Sequence, residues 1–397
     1  MAVERGVSGY FCLLLQRQPP EEAKLGVARR GPDQGIEISY RAGESWLDVD
    51  KVRANGAAAM KNRTDMSVQD HGVTRHPIFA IVPTFAGEAR IAETLDHLAE
   101  VEIPPDLYLE ICVVDNFGGD RTEAIVEAWS EKHPAIPTRY MHQSVPGRMN
   151  ALQKGVDSTD AEWLIMVDDD VSVDRQWLKA AFSAMSGRNQ VGFCGGPIEL
   201  GDTSELDTWL HPVLPFFAIY DFGAAILEFV DRQLAGAGLL IRRQAWQQSV
   251  PGICRLIGRT KGSLVGGDDI ESQRSMQRRG WIGLYVPNMR LIHRVDPNRF
   301  RHSIVARQTF SVGLEKCFHR MAGRSSLAAF FIVPASVLRD WPEGLARLVT
   351  SERGNVWIFE RNQIIGQMLS PFYFIWHRFN NGFRRIGSTR SGITQLS

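Results

Sequence analysis

The chain has 397 residues, with 45 Lys+Arg balanced against 45 Asp+Glu, 44% hydrophobic and 23% charged. This is the composition of a folded globular protein and excludes wholesale disorder, collagen and coiled coil. A formal charge of zero argues against a general nucleic-acid binder, which carries a basic excess. The zero is a cancellation. Residues 1–76 hold 11 basic and 10 acidic side chains, residues 77–289 hold 18 and 29, and residues 290–397 hold 16 and 6.

In chain order, residues 1–76 show no sustained periodicity and are expected to be a poorly ordered extension. Their apolar run, Gly9 to Leu15, is shorter than the roughly 20 residues that a bilayer span needs. No small-residue cleavage site follows it, so a signal peptide is not expected. A translation start at Met60 or Met66 would lose nothing patterned. The five cysteines, Cys12, Cys112, Cys194, Cys254 and Cys317, are far apart in sequence. They show no metal-ligand spacing and read as free thiols in a reducing compartment.

From residue 77 strands and helices alternate. Ile78 to Pro83 reads as a buried strand, and Glu88 to Glu100 as a helix with Ile91, Leu95 and Leu98 on one face. Leu109 to Val114 is a second strand ending at Asp115. Arg121 to Lys132 is a helix and Thr138 to His142 a short strand. Met149 to Val156 is helical. Trp163 to Val167 is a strand running into Asp168-Asp169-Asp170, and Arg175 to Met185 is a helix. Near-continuous apolar strands alternating with helices predict an α/β fold with a largely parallel sheet. In such folds ligands sit beyond the carboxyl ends of the strands. Pro83-Thr84, Asp115 and the Asp triplet all fall at that edge.

Three consecutive carboxylates after an apolar strand repel one another unless a cation offsets the charge. Mg²⁺ or Mn²⁺ held by one or two carboxylates and a substrate phosphate satisfies that chemistry. A helix-start cluster is the plainer alternative.

Ala80 to Phe85, Val113 to Asn116 and Leu164 to Val171, followed by Gly266-Gly267-Asp268-Asp269-Ile270-Glu271 and Gln277 to Trp281, resemble in order and spacing the signatures of family 2 glycosyltransferases. The resemblance covers about residues 77–320. It implies a GT-A type fold, a mostly parallel sheet sandwiched by helices, with a helical C-terminal extension. It also implies an inverting, metal-dependent transferase of a nucleotide-diphospho-sugar. In that reading Asp115 binds the nucleobase with the Pro83 and Thr84 backbone nearby. An Asp there accepts from a uracil imide N–H, so a UDP-sugar is the favoured donor. Asp168 faces the ribose or metal, Asp170 ligates the cation, and Asp169, the variable middle position, carries less weight. Asp269 is the general base and Asp268 stands beside it, where the family more often has Glu. Arg148 reads either as a phosphate contact or as a solvated helix-start arginine. His293 reads either as a further metal ligand or as a structural histidine.

Leu234 to Arg243 resembles a family strand whose glycines admit the sugar, with a plain bulge as the alternative. Trp281, and Phe216, Phe217, Tyr220 and Phe222 within residues 209–229, read as acceptor-side or as core. The expected domains are the extension at 1–76, the catalytic domain at 77–300 and a basic helical region at 301–397. Two apolar runs, Ser325 to Leu338 and Ile364 to Trp376, are interrupted by Pro334 and Pro371 and read as buried helices or as interfacial segments. The expected acceptor is a glycan or lipid-linked molecule in cell-surface or extracellular polysaccharide synthesis. The expected location is cytoplasmic, peripheral at the cytoplasmic face of the membrane through the basic C-terminal region. A non-catalytic nucleotide-sugar sensor or scaffold is the alternative of another class. A signalling receiver is disfavoured by the second acidic site, and a nucleotidyltransferase by the lack of a Gly-rich triphosphate loop.

Overall fold

The computed structural model describes residues 75–390 apart from 202–205, 251–255, 257, 259–264, 322–323, 325–327 and 351–356. The expectations for the N-terminal extension, its apolar run, the two alternative starts, and Cys12 and Cys254 lie outside the described residues. Cys112, Cys194 and Cys317 are buried free thiols.

The first half is built from β1 (His76–Thr84), α1 (Ile91–Ala99), β2 (Leu107–Asp115), α2 (Thr122–Lys132), β3 (Thr138–His142), α3 (Arg148–Asp157), β4 (Trp163–Val167), β5 (Val171–Val173) and α4 (Trp177–Met185). Then come β6 (Val191–Gly195), β7 (Ile198–Leu200), a 3₁₀ helix (Thr208–Phe217), β8 (Leu227–Phe229), β9 (Gly238–Arg242), α5 (Arg243–Ser249) and α6 (Asp268–Gln277). β10 (Ile282–Tyr285) and β11 (Leu291–His293) precede the C-terminal helices α7 (His302–Leu314), α8 (Lys316–Met321), α9 (Ala329–Thr350) and α10 (Trp357–Arg390).

The main sheet has the order β3-β2-β1-β4-β9-β6-β10-β8. β1 to β4 are mutually parallel, as expected, and β10 is parallel to β6. β9 runs against both β4 and β6, and β8 against β10, so the second half of the sheet is mixed. A small sheet, β5-β11-β7, stands at the carboxyl edge of β4. The alternation of β1 explains its continuous apolar run. Ile78, Ala80 and Val82 pack with α1, α2 and α4 on one face, while Phe79 and Ile81 pack with α3 and α5 on the other. A strand buried on both faces has no polar phase.

Parallel register lines up the strand ends. Thr84 pairs with Asp115, and Asp115 with His142. Val167 pairs with Gly238, so the residues just before β9 lie beside the Asp triplet. Trp281 lies at the opposite, amino end of β10. Its indole donates to Gln248 and packs over Gly192, so it is structural and does not face the acceptor. In the 3₁₀ helix, Leu210, Val213 and Phe217 are core residues packed with Val305 and Phe359. The apolar runs near the C-terminus belong to α9 and α10, and both helices continue through their prolines, Pro334, Pro342 and Pro371.

Candidate active site

The carboxyl edge of the sheet gathers the two acidic motifs. Arg148, the first residue of α3, connects them. Its Nε donates to Asp168 Oδ1 at 2.8 Å, one terminal nitrogen to Asp268 Oδ2 at 3.1 Å, and the other to the Gly236 carbonyl at 2.7 Å. A planar fork of fixed donors can hold three acceptors in three directions, which an ammonium cannot. Arg148 is therefore not the solvated helix-start arginine of the plainer alternative. The guanidinium is tied inside the protein, and its carboxylate partners raise its pKa against the cost of burial.

Asp168 is the half-buried end of that clasp. Burial pushes its carboxyl up to about 6, with Asp170 adding and Arg148 opposing. Asp169 points elsewhere. It is buried, accepts the Thr84 hydroxyl at 2.5 Å and pairs with Arg90 at 2.8 Å. Its carboxylate locks the β1 end to the triplet. The Thr84 side chain is spent in the same lock, and Pro83 is buried in β1. Asp170 lies 3.4 Å from His293 Nε2 and 3.8 Å from Arg299. Burial raises its pKa, but His293 and Arg299 outweigh that and hold it below the ordinary carboxylate range.

His293 is buried, and its Nδ1 lies 3.0 Å from the Phe217 carbonyl. The carbonyl can only accept, so Nδ1 carries a proton and Nε2 faces Asp170, as in an imidazole oriented for a metal through its other nitrogen. Protonated, Nε2 donates to Asp170; deprotonated, it leaves room for a cation between the two. Asp170 and His293 therefore fit a divalent cation, although Asp168 is committed to Arg148. Among the described residues no group of three His, Cys, Asp or Glu is placed to hold a metal by itself. The remaining ligands would have to come from a bound diphosphate and water.

Asp115, at the end of β2, is fully buried. Its carboxylate accepts from the backbone N–H groups of Phe117 and Gly118 at 2.8 and 3.0 Å and from the Tyr140 hydroxyl at 2.9 Å. The side chain therefore builds the turn after β2 at the carboxyl edge of the sheet. That turn presents Phe117, whose ring lies 5.0 Å from Phe85 on the β1 loop, and both rings are exposed.

Asp269 occupies the first turn of α6. Its Oδ2 accepts the Gly236 N–H at 2.7 Å and its Oδ1 the Ile270 N–H at 2.8 Å. Burial raises its pKa, adjacent Asp268 adds to this, and Arg148 opposes both. A Cβ at Gly236 would stand 2.7 Å from the Asp269 Cβ, so the strand approach is open only to glycine. The guest at this glycine is Asp269 of the same chain. Tyr220 accepts the Ala235 N–H and stacks on Phe222, which places part of the aromatic stretch beside Gly236.

Two residues that the sequence pattern did not single out support the acidic loop from behind. Glu315, between α7 and α8, accepts the Gly266 N–H at 2.7 Å. His319 is buried and held neutral, its pKa lowered to about 3 by burial and by Arg274. Gly267 has φ +73°, and a Cβ there would come within 2.6 and 2.7 Å of His319 and Glu315. Gly267 is thus required by a left-handed turn packed against the C-terminal helices. No periodicity announces Glu315, because its partner is a backbone amide 49 residues away.

Residues 79–245 match the model of glycosyl transferase family 2. No curated protein matches the chain. Among solved structures, the mannosyltransferase PcManGT from Pyrobaculum calidifontis, in complex with GDP-Man and Mn²⁺, is 17% identical, with 81% of this chain and 94% of that chain covered and a TM-score of 0.48. TarS 1–349 from S. aureus is 12% identical, with coverage of 76% and 91% and a TM-score of 0.43. Glucosyl-3-phosphoglycerate synthase from Mycobacterium tuberculosis, with Mn²⁺, UDP and phosphoglyceric acid, is 16% identical, with coverage of 64% and 80% and a TM-score of 0.42. Residues 79–245, from β1 through β9 into α5, thus carry the signature of glycosyl transferase family 2 on a sheet flanked by helices on both faces.

Proposed function

We propose that this chain is a family 2 glycosyltransferase, inverting and divalent-metal-dependent. It moves a sugar from a nucleotide-diphospho-sugar, with a UDP-sugar as the first candidate, to a glycan or lipid-linked acceptor in cell-surface or extracellular polysaccharide synthesis. The catalytic domain would span residues 77–300, with the basic helical region at 301–397 placing it peripherally at the cytoplasmic face of a membrane. The observation that carries the reading is the Arg148 clasp. It brings acidic motifs 100 residues apart to one edge and leaves Asp269 next to them with a raised pKa.

Asp269 accepts the proton of an acceptor hydroxyl as that oxygen attacks the anomeric carbon and the nucleoside diphosphate departs from the opposite face. Attack from behind inverts the anomeric centre. The Gly236 and Ile270 amides orient the carboxylate, and each of its oxygens keeps a lone pair for the hydroxyl. Asp170 and His293 would hold Mn²⁺ or Mg²⁺, which supplies Lewis-acid stabilisation of the leaving diphosphate. The exposed Phe85 and Phe117 rings form an apolar mouth for a nucleobase, a feature compatible with several bases.

The test is Asp269→Asn. A lost general base costs about 10²–10⁴-fold in rate, with donor-induced thermal stabilisation retained. The wild-type rate should fall as pH drops through a value above the ordinary carboxylate range, because the base works only when deprotonated. Transfer by Asp269→Asn at the wild-type rate would sink the assignment.

A further inference from the structure

The two long C-terminal helices are apolar on the wrong side as well as the right one. In α9, Val333, Ser336, Asp340 and Gly344 face inward and are buried. On the opposite side Phe331, Leu338 and Val349 are 79, 78 and 84% exposed, with Leu345 between them also exposed. The spacings 331, 338, 345 and 349 fall on one stripe at 3.6 residues per turn. α10 repeats the pattern. Phe359, Gln363, Ser370 and Phe374 are buried, while Ile358, Leu369, Phe372 and Trp376 are exposed on the reverse face. A helix apolar all round is ordinarily covered, and monomeric proteins rarely leave contiguous apolar surface of this kind.

The two stripes join. The Trp341 indole of α9 donates to the Met368 carbonyl of α10 at 2.9 Å, and its ring meets Phe372 edge-on with centroids 6.3 Å apart. The result is one apolar plateau spread over a helix pair.

We propose that this plateau is a docking face for an anionic lipid bilayer, with α9 and α10 lying in the plane of the interface. This rests on the peripheral reading above and assigns the surface and the mode. Three observations select a membrane over other occupants. No described helix is long and apolar enough to cross a membrane, so the face can lie on one but these helices cannot span it. Trp341 and Trp376 carry amphipathic rings suited to the headgroup level. The charge is complementary, since residues 377–397, which follow the exposed Trp376 directly in sequence, hold four arginines and no Asp or Glu. The same excess disfavours a second copy as occupant, because a two-fold contact would set this basic region against itself.

The test is co-sedimentation of the full-length protein with vesicles of 70% phosphatidylcholine and 30% phosphatidylglycerol, against phosphatidylcholine alone. A Leu338→Asp/Phe372→Asp double variant is run beside it, and hydrolysis of a soluble nucleotide-sugar monitors the catalytic site separately. The expected result is binding to the anionic vesicles that falls at least tenfold on pure phosphatidylcholine and at least tenfold in the double variant, with donor hydrolysis unchanged. Three outcomes would overturn the proposal. These are equal sedimentation of wild type and double variant, no wild-type binding to either vesicle, or a wild-type dimer that the double variant converts to monomer. Each leaves the transferase reading intact, whereas loss of hydrolysis in wild type alone would strike that reading and not this one.

Discussion

Arg148→Met removes the clasp while keeping most of the side chain's volume. It strips a charge-assisted partner from Asp168 and from Asp268 and a donor from the Gly236 carbonyl. Breaking a buried ion pair from one side costs about 3–5 kcal/mol, because the other charge stays buried without compensation. Taking about 4 kcal/mol and roughly 2 °C per kcal/mol for a domain of this size, the melting temperature should fall by roughly 8 °C at pH 8. The pH dependence is the sharper readout. Asp168 in the folded protein is already pushed up to about 6 by burial, with Arg148 opposing, and the substitution raises it further. Its folded pKa then lies well above the unfolded value of about 3.9, so the folded state holds the proton more tightly. The penalty is fully present above the folded pKa and disappears as pH falls toward the unfolded one. Differential scanning fluorimetry in chelator at pH 8 and pH 5 should therefore show the gap between wild type and variant shrinking by at least half at pH 5. A gap below 2 °C at pH 8, or one that does not change with pH, would refute the clasp as the element joining the two acidic motifs.

Glu315→Ala leaves the buried Gly266 amide without its acceptor and should cost about 1–3 kcal/mol. If the loop it supports positions Asp269, turnover should fall more than donor affinity, and Glu315→Gln, which keeps an acceptor oxygen, should recover most of the loss in a steady-state assay. His293→Ala should weaken Mn²⁺-dependent donor binding by about 10–100-fold, the range typical of metal-shell losses. Isothermal titration of donor with and without Mn²⁺ measures this directly, and an unchanged metal dependence would remove His293 from the shell.

Sequence alone reaches far into the first half of this protein and less far afterwards. The strands ending at Thr84, Asp115 and Val167 are legible because a strand buried on both faces must be continuously apolar and a ligand edge must be polar. The acidic motifs stand out for the related reason that clustered like charge needs an explanation. The mixed second half of the sheet is not legible, because strand direction depends on which neighbour pairs with β9, and short runs such as Gly238–Arg242 read the same either way. The roles inside the site divide along the same line. Sequence determined that Asp168, Asp169 and Asp170 are adjacent, but only the tertiary structure assigned one to Arg148, one to Thr84 and Arg90, and one to His293, since consecutive carboxylates on a turn diverge toward partners 20 to 123 residues away. It likewise determined the apolar content of α9 and α10. Which of those side chains face the protein and which face outward was decided by packing, because hydrophobicity records a preference for leaving water and not the surface that receives it.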